Sequence, residues 1–352
     1  MNIAIIGCGV IGLSCGVVLA QRGYNVTIVS RPKSGREVIT SSIAAAFWFP
    51  YMTSVESDSL FSEADLAGPT LDRFLSLLSV PEAGVTLVKG IEFVGAPAGA
   101  SGLPRRWWHD RSEVAFRELT ESEIPIISDF GTLQAGCEFR IPVVHMERYL
   151  VFLTDEFLQL GGILLSQEIQ SLDQPNLNEF DAIVNCAGLD AQYLAHDNLI
   201  VAVRGQVVSV RDICYSHNTL YFIDQGENFD REPVYIVPRG SDVILGGTAE
   251  IVSREHASLT SIDAHLPDPE VTLRIIKRCA LLRPEFMGTF QHETKVGLRP
   301  CRSPVRIGVE ESTYILPVVH CYGHGGGGVT LSWGSALIVE RLISNLSSKW
   351  LT

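Results

Sequence analysis

Apolar positions along this chain fall into two kinds of run. Short, nearly continuous segments rich in β-branched residues read as strands covered on both faces, and segments with apolar residues three to four apart read as amphipathic helices. Asn2–Ile6 is a strand of the first kind, feeding directly into Gly7-Cys8-Gly9-Val10-Ile11-Gly12 and then a helix-compatible stretch to about Arg22. Asn25–Ser30 reads as a second, parallel strand. Thr40-Ser41-Ser42 before Ile43–Trp48 predicts a capped helix start whose small residues let another group approach the backbone. Pro69–Val80 has helical spacing, and Thr120–Glu123 is a capping box opening a helix or turn. A strand is expected at Cys137–Val144, a helix at Met146–Leu160 ended by Gly161-Gly162, a strand at Ile163–Leu165, and a buried strand within Phe180–Gly188 that ends in small residues.

From Leu199 the pattern changes. Val201–Val210, Leu220–Ile223, Val234–Val237 and Val243–Gly247 are β-type runs separated by polar turns, which predicts a mostly antiparallel sheet. Asp268–Leu282 is an amphipathic helix, strands follow around Thr294–Leu298 and Tyr314–Val319, and Gly325–Gly328 opens a last helix through about Ile343. The expected fold is α/β: a Rossmann-like nucleotide-binding domain (1–65, 140–195 and 290–352) interleaved with a mostly antiparallel α+β domain (66–139 and 196–289).

Composition narrows the function. A chain of 352 residues that is 46% hydrophobic can bury a large core, and a net charge of -13 without any basic block argues against nucleic acid as a partner. No apolar run reaches the roughly 18 to 20 residues of a spanning helix. Met1 is followed at once by the first strand, with no leader pattern, and Lys349–Thr352 does not resemble a Ser-Lys-Leu address, so the expected location is the cytoplasm. The eight cysteines show no C-x-x-C pair and read as buried, reduced thiols; the dispersed histidines, His320 and His324 included, predict no metal site.

Strand, Gly-x-Gly-x-x-Gly and helix in that order predict a dinucleotide site. The first glycine permits the turn, the second admits a pyrophosphate to the backbone, and the third packs helix on strand. An acidic residue ordinarily takes the ribose at the end of the second strand, whereas this chain has Ser30-Arg31-Pro32, so an NADP-type 2′-phosphate stays open. Four glycines, Gly325 to Gly328, at a helix N-terminus point to close approach of an anionic or electron-rich group, with a flexible loop as the alternative. Arg299 ends an otherwise apolar strand segment and fits either a substrate carboxylate or a structural ion pair. Tyr235, in Pro233–Pro238, is a second donor to that carboxylate or a core aromatic.

Gly7 to Ser14, Ala44-Ala45 with Trp48 and Pro50-Tyr51, Phe116-Arg117, Val184-Asn185-Cys186 with Gly188, Arg204-Gly205-Gln206, Leu245-Gly246-Gly247, Gly297 to Pro300, and Tyr322 to Gly326 with Trp333-Gly334 together resemble the motifs, in order, of the FAD-dependent D-amino-acid oxidase and D-aspartate oxidase family. The resemblance spans nearly the whole chain. It implies non-covalent FAD along Gly7, Cys8, Gly9, Val10, Ile11, Gly12, Ser30, Arg31, Thr40, Ser41, Ala45, Ala46, Phe47, Ile169, Ala187, Gly188, Gly325, Gly328, Val329 and Thr330. It further implies that Arg299 and Tyr235 bind the substrate carboxylate, that the Gly326 carbonyl receives the amino group, and that Phe47 and Phe49 line the side-chain pocket. The implied chemistry is hydride transfer from a D-amino acid Cα to flavin N5, giving an imino acid that hydrolyses to a 2-oxo acid and ammonia, with dioxygen returning as hydrogen peroxide. A homodimer is the corresponding family expectation.

The chain departs from the family at the ribose partner, and in a lid segment, Asp224 to Glu232, that lacks tyrosine and carries Asp224, Glu227, Asp230 and Arg231. A third departure is Ala249, where D-aspartate oxidases use arginine; it favours neutral, apolar D-amino acids. The alternatives are a glycine or sarcosine type amine oxidase with flavin attached through Cys301 or Cys321, an NADP-dependent dehydrogenase, or a non-catalytic nucleotide-binding protein.

Overall fold

Asn2–Ile6 (β1) and Asn25–Ser30 (β2) pair in parallel, Asn2 opposite Asn25 and Ile6 opposite Val29, joined through the helix Val10–Gln21 (α1). The computed structural model describes residues 1–32, 39–50, 61–95, 103, 105–130, 133–211, 215, 218–224, 232–253, 263–288 and 290–349. Because α1 is apolar all round, it is clamped between the sheet and two later helices. Next come the single helical turn Thr40–Ile43 (α2) and the helix Glu63–Ser76 (α3), then strands Val85–Gly95 (β3), Arg117–Glu118 (β4) and Leu133–Val144 (β5). The helix Met146–Gln159 (α4), strands Ile163–Ser166 (β6) and Ala182–Asn185 (β7) and the turn Ala191–Leu194 (α5) return to the parallel pattern. Strands Val201–Arg211 (β8), Thr219–Asp224 (β9), Val234–Pro238 (β10), Val243–Gly246 (β11) and Glu250–Val252 (β12) precede the helix Pro269–Leu282 (α6). The chain closes with Gln291–Glu310 (β13), Val318–His324 (β14) and Gly328–Lys349 (α7).

Among the described residues the strands join one sheet in the order β4-β5-β3-β9-β10-β11-β8-β13-β14-β7-β1-β2-β6, with β12 also on β8. From β14 to β6 every pairing is parallel. Elsewhere the pairings are antiparallel except β3 with β9. The expected α/β class with a mostly antiparallel second part is the fold observed. The long pair β8–β13 ties the two parts together, with Gln291 opposite Arg211 at one end and Cys301 opposite Val201 at the other.

Several expected elements shift. Ile43–Trp48 is not a helix: Thr40–Ile43 is itself the turn, and from Ala44 the chain leaves the helix, with φ 54° at Ala46, because β5 captures it, with Trp48 N–H on the Pro142 carbonyl at 2.8 Å and Val144 N–H on the Ala46 carbonyl at 2.8 Å. α3 begins six residues before Pro69 in a capping box, Ser62 with Asp65, and carries the proline internally. β13 extends far beyond Thr294–Leu298, the strand expected at Tyr314 begins only at Val318, and α7 runs past Ile343. Thr120–Glu123 forms the expected capping box, on a 3-10 turn. Among the described residues, no helix is long and apolar enough to cross a membrane.

Candidate active site

A cavity of about 860 Å³ runs from the C-terminal ends of β1, β2, β6 and β7 to the face of the antiparallel strands. This is where an open parallel sheet binds ligands. At its first end lie Gly7, Cys8, Gly9, Val10 and Ile11. Gly7 has φ 110° and sits against β7: an added Cβ would lie 2.4 Å from the Cys186 carbonyl oxygen. α1 begins with Gly9 at its N-cap, no capping side chain and no acidic residue in its first turn. Ser41 Oγ accepts the Val10 N–H at 3.1 Å. Backbone donors at a positive helix end fit a pyrophosphate. Gly12 lies off the cavity lining: its Cβ would meet the Gly7 carbonyl oxygen at 1.9 Å, so it packs helix on strand.

Ser30, Arg31, Ile169, Ala187 and Gly188 line the next stretch. Arg31 Nη2 donates to Asp190 Oδ2 and its Nε lies 4.0 Å from Glu168 Oε1, and both acids line the cavity. Two carboxylates thus stand beside the end of β2, which itself carries none. Ser30 pairs with Ser166, which brings Gln167 and Glu168 alongside, and Asp190 follows β7. Arg31 is thus held by an acid rather than left for a 2′-phosphate. Thr40 Oγ1 donates to the Leu298 carbonyl at 2.7 Å, fixing α2 on β13, and Thr40, Ser41, Ala45 and Ala46 line the middle of the cavity.

At the far end, Gly325, Gly326, Gly328, Val329 and Thr330 line the start of α7, entered through the 3-10 turn Gly325–Gly327. Opposite stand Arg299 and Tyr235. Arg299 Nη1 donates to the Thr248 carbonyl at 2.9 Å. Burial pushes the Tyr235 phenol up in pKa, and the adjacent, hydrogen-bonded Arg299 offsets part of that rise. Arg31 and Arg302 on the same wall pair with Asp190 and Asp197. Among the described residues, Arg299 has no carboxylate partner.

The rest of this compartment is aromatic. The Phe47 ring lies 6.0 Å from Tyr235, 6.0 Å from Phe222 and 5.9 Å from Phe49. Phe49 forms a second layer on Trp108 and Phe139, at 5.4 and 5.8 Å, with the Arg106 guanidinium 4.8 Å from its ring centroid. Arg106 in turn makes two bonds, 2.6 and 2.7 Å, to the fully buried Glu92 carboxylate. Phe222, Glu232, Asp190 and Glu168 escaped the sequence reading. Phe222 pairs with Tyr235 across β9 and β10, which strand alternation alone could have revealed. Glu232 lines the cavity but is held by Arg274 at 2.7 Å and Arg278 at 3.3 Å. His324, at the cavity wall, is neutral: burial lowers its pKa to about 4, and its Nε2 is 3.0 Å from Ser335 Oγ. Tyr51, Glu227, Asp230, Arg231 and the Asp224 side chain lie outside the described residues.

Comparison with known proteins agrees with this geometry. Residues 2–342 match the family model described as FAD dependent oxidoreductase. The chain is 37% identical over 332 residues to a D-amino-acid oxidase of Rubrobacter xylanophilus, covering 94% of this chain and 92% of that protein. It is 35% identical to a D-amino-acid oxidase of Streptomyces coelicolor, covering 97% of each. In fold it is similar to a glycine oxidase from Bacillus cereus, with TM-score 0.71 and 19% identity over 98% of this chain and 95% of that one. With its glycine turn on a parallel sheet, its second glycine-rich helix start and a family match over nearly its full length, the chain belongs to the FAD dependent oxidoreductases.

Proposed function

We propose that this enzyme oxidises neutral, apolar D-amino acids to 2-oxo acids, ammonia and hydrogen peroxide, with FAD held without a covalent bond. The observation that carries the reading is the Arg299 guanidinium, which faces an aromatic compartment without a carboxylate of the chain among the described residues. A half-buried cation of this kind suits an anionic ligand, and a carboxylate accepts two parallel bonds from it. Tyr235 adds a third donor. The Gly326 carbonyl, at the start of α7, accepts from the substrate ammonium or amine.

Phe47, with Phe222 beside it and Phe49 behind, offers apolar and ring-edge contacts to the substrate side chain. Three anchored substituents fix the direction of the Cα hydrogen, so the mirror-image substrate directs it elsewhere. Positioning and charge do the work, since Glu232 is engaged and His324 lies behind Gly325 with its ring neutral. When bound, FAD supplies the two-electron acceptor that dioxygen reoxidises with release of hydrogen peroxide. In this reading residues 1–65, 140–195 and 290–352 hold the cofactor, and 66–139 with 196–289 form the substrate side.

The test is peroxide release from a panel of D- and L-amino acids under air, with acid precipitation to see whether the yellow colour leaves the protein. Peroxide with D-alanine and larger apolar D-amino acids, and colour in the supernatant, are expected. Equal turnover of both enantiomers, or colour retained on the precipitate, overturns the reading.

A further inference from the structure

We infer that Cys15, Cys186 and Cys321 form a binding site for a soft monovalent cation, Cu(I), directly beneath the glycine turn, and that filling it opposes cofactor binding. Cys15 lies on the second turn of α1, Cys186 immediately follows β7, and Cys321 is in β14. All three side chains are buried, and their sulfurs lie within 4.8 Å of one another. Cys15 Sγ and Cys186 Sγ are 4.0 Å apart.

The Cys15–Cys186 distance is the one a trigonal site needs, and the Cys321 sulfur lies within 4.8 Å of both. A metal–sulfur bond of about 2.3 Å places three sulfurs about 4 Å apart around a central ion. The donor set selects the ion further. Among the described residues, no histidine or carboxylate completes the group, so Zn(II), which takes four ligands in structural sites, is disfavoured. Three thiolates or thiols suit Cu(I).

The site is coupled to the cofactor by position. Cys186 and Cys321 form part of the cavity wall, so an ion reaches the sulfurs through space that the cofactor takes. Each copper–sulfur bond to a thiolate forms with loss of the S–H proton to solvent, and with two or all three thiols ionised the filled site carries net negative charge. Gly7 rests on the backbone of Cys186 itself. A negative cluster under that turn competes with a pyrophosphate for the positive end of α1. Coupling of this kind is reciprocal: copper weakens FAD binding, and FAD weakens copper binding by the same factor. The coupling rests on the proposed placement of FAD at this turn, whereas the copper site does not.

The experiment is anaerobic titration of holoenzyme and apoprotein with Cu(I) against a chromophoric Cu(I) chelator, following flavin fluorescence and X-ray absorption at copper. One equivalent bound by apoprotein with three sulfur neighbours, and FAD released from holoenzyme as copper is added, are expected. Cys15→Ala, Cys186→Ala and Cys321→Ala should each weaken copper binding by about 100-fold or more, beyond what loss of an outer-shell partner costs. The Cys→Ser series repeats the test where an alanine variant folds poorly, and Cys279→Ala serves as the control that keeps the site. Copper that does not bind apoprotein, or that survives all three substitutions, overturns the site. Copper bound by three sulfurs with FAD affinity unchanged overturns the coupling and leaves the copper site standing.

Discussion

The guanidinium of Arg299 lies flat over Gly205: a Cβ built on Gly205 would sit 2.4 Å from its Cζ, Nη1 and Nη2. The two residues are diagonal neighbours on β13 and β8, where Arg299 is opposite Val203. The obstructed atoms are the far end of a flexible side chain, so Gly205→Ala moves the guanidinium without disturbing the core. The expected result is a KM for D-amino acids raised roughly 10- to 100-fold, from about 1.5–3 kcal/mol of misaligned charge-assisted bonding, with an almost unchanged Tm. Steady-state kinetics beside thermal unfolding checks it, and an unaltered KM removes Arg299 from the carboxylate role.

Tyr235 relates to Gly246 in the same way but with a stiffer partner. The residues are cross-strand neighbours, and a Cβ on Gly246 would meet the ring at 1.9 Å. Tyr235→Phe keeps the ring and removes the hydroxyl, so KM should rise by the factor of roughly 5 to 10 that about 1 kcal/mol implies. Gly246→Ala should instead lower Tm as well as activity, because a buried ring has nowhere to turn. Equal Tm losses in the two variants would contradict this division.

The parts of the fold and site that were legible in the sequence are those set by local rules. β1, α1 and β2 carry their apolar pattern and glycine turn in about thirty consecutive residues, and β8 to β11 alternate with polar turns. Arg299 and Tyr235 stood out because a cation and a phenol interrupt apolar strands. What escaped depends on pairing between distant segments. β3 contains Lys89 and Gly90, and it is held by β5 on one side and β9 on the other. The non-helical course of Ala44 to Trp48 is decided by Pro142 and Val144, and a helix-compatible alanine run yields to those hydrogen bonds. Asp190 and Glu168 are remote from Arg31 in sequence and meet it only because β7 and β6 end beside β2.

Glu92 and Arg106 form a buried ion pair beneath Phe49, the carboxylate fully inaccessible and the Arg106 side chain 15% exposed. Removing only the cation strands a charge in the core. Arg106→Met should cost about 3–5 kcal/mol in urea unfolding. Adding Glu92→Gln should recover a large part of that loss, because the stranded charge, not the missing attraction, dominates. A double variant as unstable as the single one contradicts the assignment.

His320 and His324 are buried with pKa values lowered by that burial from the ordinary 6.5 to about 4. Both stay neutral in the folded chain between those values, while the unfolded chain takes up protons. The stability they allow is therefore full above about pH 6.5 and is lost as pH falls toward 4, with a slope approaching about 1.4 kcal/mol per pH unit for each histidine. His324→Gln keeps a polar group for Ser335 and removes the titration. Its unfolding free energy should depend less on pH between 7 and 5 than that of the parent, and a parallel pH profile would assign the acid sensitivity elsewhere.

Asp190 decides what Arg31 is available to bind. With its partner ionised, the guanidinium is neutralised and a 2′-phosphate arriving at the end of β2 meets two acids, Asp190 and Glu168, beside one cation. Asp190→Asn removes one negative charge at that point and leaves Arg31 with Glu168 at 4.0 Å. In dinucleotide folds a basic residue at this strand end accommodates the 2′-phosphate, and phosphate with guanidinium forms a two-pronged charge-assisted pair. The apoprotein should therefore discriminate against 2′,5′-ADP relative to 5′-ADP, and Asp190→Asn should shift that ratio toward the 2′-phosphate by about tenfold, the 1.4 kcal/mol of one strengthened charge pair. Calorimetric titration of both nucleotides into parent and variant measures the ratio without relying on turnover. A ratio unmoved by the substitution places the adenosine end of the cofactor away from Arg31, and the reading of β2 as the ribose strand fails with it.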